Sequence, residues 1–315
     1  MEQNRSAAIA SRTSWSACLT RLQSIRDAFR RECGEEAPGI GGARSYSERI
    51  NTALARDLPL AGLPSEGWAL IGVGGLGRGE LSFLSDLDLL LLYRRKLPKA
   101  LENFMRDLVS GLWDSGFKVG HIVSSPSGLD ELMRRDFATR TNYLETRLLC
   151  GDTGLYQSWR SYMSQSRGPR RIKRFVEELV RYRDARLSRF GESTYLLEPQ
   201  IKEGPGGLCD LHILRWAGVV LRGDPGLEVL ESKGLLTGDE RQWLDQAQDF
   251  LWRVRLQLHD LRGRQQDQLL LQDQQDVADR LGFVQSGGAS GVEAFMRRFY
   301  QHSARVRRVT SFLLE

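Results

Sequence analysis

The chain has no run of apolar residues approaching the roughly 18 to 20 that a membrane-spanning helix needs. Its longest, Leu89 to Tyr93, is the size of a strand. The N-terminus lacks the charged, apolar and small-residue succession of a secretory signal, so a cytoplasmic protein with no membrane partner is expected. Cysteine is scarce: Cys18, Cys33, Cys150 and Cys209 form no C-x-x-C pair, and no Cys/His cluster has zinc spacing. They read as free thiols of a reducing compartment. A dominant charge sign is also missing. Lys and Arg number 45 against 40 Asp and Glu, a net +5, which admits an anionic ligand without selecting one and gives no support to a nucleic-acid partner. Repeats of fixed period are absent. What remains is globular composition, 41% hydrophobic and 27% charged over 315 residues, enough for a real core and about two domains.

Residues 1–45 are rich in Ser, Arg and Ala, with one amphipathic stretch, Leu19 to Phe29, expected to be helical, before the Gly39-Ile40-Gly41-Gly42 break. This region reads as a loosely attached arm. From Trp68 the pattern sharpens into alternating elements. Strands are expected over Trp68–Val73, Asp86–Tyr93, Lys118–Ser124 and Tyr143–Cys150, with a helix over Ala100–Trp113 and a short one from Ser127 capped through Asp130. Alternation within so few residues argues for a small α/β unit, here 46–152. Beyond Gly151-Asp152, helical spacing dominates: Ile172–Phe190, Ile213–Leu221, Glu240–Leu261 and Val292–Leu314. The region 153–315 is therefore expected to be an all-helical domain, interrupted by the irregular stretch Glu198–Gly207.

The chemistry is concentrated in Gly74-Gly75, a ten-residue spacing, and Asp86-Leu87-Asp88. Residues two apart on a strand share a face, so Asp86 and Asp88 set two carboxylates side by side. Adjacent carboxylates repel unless a cation lies between them, and hard oxygen ligands of this kind suit Mg2+ together with substrate phosphates. The glycine turn lets backbone N–H groups of Gly74 and Gly75 approach a triphosphate, with Arg78 and Ser85 as further phosphate contacts. Taken alone, D-x-D is equally a pair of Asp residues capping a turn at a strand end. The combination of strand, Gly-Gly turn, spacing and D-x-D opening a second buried strand resembles the polymerase-β-like nucleotidyltransferase superfamily. That resemblance implies an α/β (α+β) catalytic domain with a mixed sheet and a third carboxylate on a neighbouring strand. Glu145 is the candidate, Asp136 the runner-up; a salt bridge from Glu145 to Arg147 or Arg140 is the structural alternative.

The segment Val73 to Leu92 also resembles the active-site segment of the bacterial PII uridylyltransferases, the bifunctional uridylyltransferase/uridylyl-removing enzymes. So do Lys118–Val123, Leu144–Asp152, Leu197–His212, Leu251–Arg264 and the closing helix Arg297–Arg308, so that the resemblance covers roughly 68–315. It implies UTP as donor, a tyrosine hydroxyl of the PII protein as acceptor, and a two-metal displacement of pyrophosphate with Mg2+ held by Asp86, Asp88 and Glu145. It also gives Lys202 a phosphate to face; the plainer reading of Lys202–Gly207 is a Pro/Gly turn between helices. Leu76 stands where an aromatic residue is usual, and Cys209 where an arginine is expected between Leu208 and Asp210. Family members are far longer, with an HD hydrolase domain and two ACT domains after this region, so a fragment is expected. A related nucleotidyltransferase with another protein or small-molecule acceptor, and a non-catalytic nucleotide-binding module, are the alternatives. His259-Asp260 reads as helical surface and His121 as a packed strand histidine.

Overall fold

The structure, a computed structural model, describes residues 2–58, 60, 63–165, 169–190, 193–285 and 290–314. The chain divides into two compact units, one comprising Met1–Arg31 and Ala43–Met163, the other Glu32–Gly42 and Ser164–Glu315. In chain order the first unit is built from α1 (Glu2–Glu36, most of it), α2 (Ile40–Asp57), β1 (Trp68–Gly72), α3 (Gly74–Arg78), β2 (Leu87–Tyr93), α4 (Lys99–Asp114), β3 (Val119–Ser124), α5 (Pro126–Arg135), α6 (Phe137–Asn142), β4 (Arg147–Gly151) and α7 (Thr153–Gln165). The strands form one mixed sheet in the order β3-β2-β1-β4. β1 runs antiparallel to β2, with Gly72 opposite Leu89, and antiparallel to β4. β3 runs parallel to β2, with Asp88 opposite Gly120; α4 supplies the crossover that a parallel pair requires.

Five residues of β2 are buried in its run Leu-Asp-Leu-Leu-Leu-Leu-Tyr, as expected of a strand covered on both faces. One face joins Leu90 and Leu92 to Ala69, Ile71 and Val73, and packs them on Leu129 and Met133 of α5 and on Leu155, Tyr156 and Trp159 of α7. The alternate residues meet α4, where Phe104 lies 5.9 Å from the Trp68 ring. That helix buries Leu101, Phe104, Met105, Leu108, Val109 and Leu112 along one stripe.

Several expectations are corrected. The arm is a helix, and its Cys18, Leu22 and Phe29 are buried. Phe29 stacks on Tyr46 of α2 at 4.6 Å. Cys18, Leu22 and Phe29 are four and seven residues apart, which is one helical face. α5 is capped by Ser125, whose hydroxyl accepts from the Gly128 N–H, while Asp130 pairs with Arg134 at 3.0 Å. The fourth strand starts at Arg147 instead of Tyr143, because Asp136 caps a short helix over the preceding residues, accepting from the Ala138 and Thr139 N–H groups. α7, whose aromatic residues complete the sheet's core, groups with the first unit.

The described residues of the second unit form α8 (Pro169–Phe190), α9 (Leu208–Arg222), α10 (Leu227–Ser232), α11 (Gly238–Arg262), α12 (Leu271–Arg280) and α13 (Gly291–Leu314), with an isolated bridge between Gln200 and Gln268. α11 begins with a complete capping box, Thr237 and Glu240 satisfying each other's backbone N–H groups. His259 is not helical surface. It is fully buried and bonds Asp267 at 3.1 Å, beside the Arg255–Asp267 pair at 2.7 Å. Burial works against ionising Asp267, but Arg255 and His259 outweigh it and hold the carboxyl well below its usual range. All four cysteines are free and buried. Among the described residues no helix is long and apolar enough to cross a membrane.

His302 of α13 is buried, stacks on Phe250 at 4.9 Å, and leaves Nδ1 without a hydrogen-bond partner. Burial, aided by Arg298 and Arg305, pushes its pKa down from 6.5 to about 4. A histidine held neutral in the fold costs stability as acid charges it in the unfolded chain. The loss begins near the ordinary value and is complete below about 4. His302→Phe should therefore lose roughly one proton's worth of pH slope in this window. Urea unfolding followed by tryptophan fluorescence at pH 7 and pH 4.5 measures it; equal slopes in variant and parent would contradict it.

Candidate active site

The end of β1 and the start of β2 meet at a glycine turn. The Val73 N–H donates to the Asp88 carbonyl at 3.0 Å, and Gly74, at φ 57°, swings the chain into the five-residue helix α3. Gly79, at φ 77°, closes that helix by donating to the Gly75 and Leu76 carbonyls.

Asp86 immediately precedes β2 and is exposed, while Asp88, its second residue, is half-buried. Alternation along the strand puts Asp88 on the face of Leu90 and Leu92. Missing side chains make the room for Asp88. A Cβ on Gly74 would lie 3.1 Å from Asp88 Oδ2 and 3.9 Å from Asn142 Oδ1, and a Cβ on Gly120 would collide with Asp88 Oδ1. The carboxylate thus stands in a cradle between two glycines, with the Asn142 carboxamide on its open side. Below it Tyr143 is buried and meets Trp159 edge-on at 6.1 Å. Burial, with the Asp88 carboxylate adding to it, pushes the phenol up to about 12 and keeps it a donor at neutral pH.

The third carboxylate has a different setting. Glu145 lies in the bend before β4, buried, with Oε2 2.9 Å from Arg78 Nη1. Arg78 Nε reaches Glu80 Oε2 at 3.2 Å, and Arg44 reaches the other oxygen of Glu80 at 3.3 Å. Both carboxylates are almost completely buried, with side-chain exposures of 0% for Glu80 and 3% for Glu145. The bend fits against α3 because Gly77 has no side chain: a Cβ there would collide with the Glu145 carbonyl. Among the described residues no three His, Cys, Asp or Glu side chains gather at metal-binding spacing. In this arrangement Glu145 is a counter-ion of Arg78 and lies in the bend before β4, not on the strand itself. Arg147 instead pairs with Glu48. Asp136 is spent on its cap, where the Thr139 hydroxyl is the main cause of a carboxyl held below its usual range.

Ser85 closes its own turn: its hydroxyl accepts from the Ser82 N–H at 2.9 Å, and its N–H donates to the Ser82 carbonyl. His121 is an exposed residue of β3. Asn142 is the residue that strand-based reading passes over. The signal for it is Asp136 with Thr139 three residues on, an N-cap pattern starting a helix that ends at Asn142.

Lys202 belongs to the second unit, in a loop that is closely tied. Gln200 Oε1 accepts from the Lys202 and Glu203 N–H groups at 2.7 and 2.6 Å, and the Cys209 N–H donates to the Lys202 carbonyl at 2.8 Å. Fully buried Asp210 anchors the loop, accepting from the Gly206 N–H at 2.7 Å and pairing with buried Arg186. The Cys209 thiol is pushed up by burial, against the opposing charges of Arg186 and Lys202. With Arg186 already beside Asp210, an arginine at 209 would bring a second guanidinium to the place where the thiol lies.

Residues 174–314 match the family model described as GlnD PII-uridylyltransferase. Relatives named bifunctional uridylyltransferase/uridylyl-removing enzyme include one from Vibrio parahaemolyticus, 39% identical over 248 residues, or 78% of this chain and 28% of that protein. One from Methylococcus capsulatus is 38% identical over 249 residues, again 78% and 28%. Another, from Cereibacter sphaeroides, is 36% identical over 266 residues, 84% of this chain and 29% of that protein. The chain thus spans less than a third of the length of these relatives. An alignment of 248 residues on a chain of 315 cannot be placed without taking in Gly74–Asp88.

The Asp86/Asp88 pair and the Asn142 oxygen over Gly74 are hard donors, and they fit a magnesium ion better than a thiophilic metal. Arg78, by contrast, holds buried charge together. Arg78→Met should destabilise the first unit by about 3–5 kcal/mol, because it takes a guanidinium away from two buried carboxylates. Adding Glu145→Gln should recover part of that loss. Guanidinium unfolding of the single and double variants tests the coupling, and strictly additive losses would show that the pair does not interact.

Proposed function

We propose that the chain transfers UMP from UTP to a tyrosine hydroxyl of the PII signal protein, releasing pyrophosphate. The observation that carries this is the Asp88 carboxylate at the start of β2 beside the Gly74-Gly75 turn, in a chain whose residues 174–314 match the PII-uridylyltransferase family model. In this reading Asp86 and Asp88 hold Mg2+. Bound there, the metal supplies charge neutralisation at the triphosphate and lowers the pKa of the acceptor hydroxyl.

The protein's own groups do the positioning. The first turn of α3 leaves backbone N–H groups without helical acceptors beside the pair, and Gly74 and Gly75 let a phosphate approach them. Ser85, at the end of the turn leading to β2, retains its hydroxyl proton for a phosphate oxygen, since it uses only an acceptor function within the turn. Arg78 acts at one remove in this reading, fixing α3 against the bend at Glu145. Such a site works by orientation and charge stabilisation and needs no dedicated general base.

The test is transfer to purified PII protein in Mg2+, with each nucleoside triphosphate in turn and the mass of PII as readout. A gain of one uridylyl group with UTP alone is expected. Asp88→Asn should lower the rate by about a hundredfold or more with circular dichroism unchanged. A variant as active as the parent would overturn the assignment of Asp88, and UTP-independent modification would overturn the donor.

A further inference from the structure

Building on the proposed transfer to a tyrosine hydroxyl, we propose that the free edge of β3 receives the acceptor. An extended segment of the PII protein pairs there as a further strand and lays its tyrosine across Gly120, with the hydroxyl at Asp88. β3 is an edge of the sheet beside β2, and its pairing runs from Leu87–Val119 to Leu92–Ser124 without a shift of register. The Leu87 N–H donates to the Lys118 carbonyl at 2.8 Å. Alternation in a parallel ladder then turns the main-chain groups of Gly120 and Ile122 towards β2, and those of Val119, His121 and Val123 away from it. Among the described residues no hydrogen bond meets these three from outside the sheet. Edge strands are ordinarily blunted by proline, lysine or a bulge. Val119–Ser124 contains neither proline nor lysine, and most of it is half-buried. The opposite edge, β4, has a register shift and is separated from β2 by β1.

Gly120 connects this edge to the chemistry. It lies opposite Asp88, and a Cβ on it would collide with Asp88 Oδ1, so the carboxylate leans from β2 out over the backbone of β3. A strand added beyond β3 would lie one further spacing away, about 4.8 Å, and its residue opposite Gly120 would point to the same face. Tyrosine is long enough to cross that spacing and bring its hydroxyl to the carboxylate. Serine and threonine, with the hydroxyl on Cβ, are not. An aromatic ring laid over a strand glycine is also a favourable cross-strand pair. Ile122, the next residue of β3 on that face, packs against the sheet's core, so the corridor lies at the Gly120 end, where Asp88 stands.

The experiment uses the whole chain and purified PII protein. In hydrogen–deuterium exchange, PII together with a UTP analogue whose α–β bridge is methylene should slow exchange of the Val119, His121 and Val123 amides about tenfold or more. His121→Pro removes an outward N–H and leaves the ladder to β2 intact. It should raise the KM for PII about tenfold, with the KM for UTP and the melting temperature unchanged. His121→Ala keeps the N–H, so an equal rise in both variants would assign the effect to the imidazole and overturn the proposal. A parent-like KM for PII in a folded His121→Pro overturns it too, as does PII binding that leaves exchange in β3 unchanged. The exchange result decides alone if the proline variant does not fold. In each of these cases transfer by the parent stands. If the parent fails to modify PII, the reading of the acceptor fails and this proposal with it.

Discussion

Arg78 bridging Glu80 and Glu145 is the interaction on which the candidate site depends. Two carboxylates with almost no solvent exposure would be strongly unfavourable if unpaired, and a single guanidinium ties both to the same short helix. Arg44 reaches Glu80 from the other side, so that two acids are matched by two bases. The consequence is geometric. α3 is only five residues long and could not hold a position by its own hydrogen bonds. Arg78 locks its last turn to the bend before β4, and so sets the Gly74-Gly75 turn at its other end against Asp88.

The same constraint explains which glycines the segment needs. Gly77 lets the Glu145 carbonyl approach so that the ion pair can close, while Gly74 and Gly120 clear the space around the Asp88 carboxylate. The Gly-rich sequence between the strands therefore serves two purposes that look alike in sequence: one close approach is structural, the others make room for chemistry.

How much of this could be read from sequence follows from which forces are local. The strands β1, β2 and β3 and the helix α4 are legible because burial on a sheet face or helix stripe repeats along a few residues. Asp88 is legible for the same reason, as the second residue of a buried strand, whereas Asp86 falls just before that strand. The stretch 136–146 is not. Its apolar residues suit a strand, and only the Asp136 cap diverts them into α6. The partner of Glu145 lies 67 residues away, beyond any periodicity. Of α1 the amphipathic Leu19–Phe29 stretch is legible as helix, but not the helix's full extent or its packing, because the buried Cys18, Leu22 and Phe29 stand sparsely among Arg and Ser. His259 was hidden because its acid, Asp267, lies past the end of its helix.

The family match and the proposed chemistry fall on different parts of the chain, and that separation has a physical reading. Residues 174–314 include none of the groups set around Asp88. What they do include, in the Gly204–Asp210 segment, is a buried lock. Asp210 satisfies the Gly206 N–H and neutralises Arg186, and the Ile201 and Lys202 carbonyls receive the first N–H groups of α9. Such a turn tolerates few residue types because its polar groups must all be met without water, so it marks a family strongly even where it touches no ligand. Lys202 lies at the edge of that lock, its backbone fixed on both sides. The functional reading therefore rests on the Gly74–Asp88 segment, which the longer alignments to uridylyltransferase relatives must include.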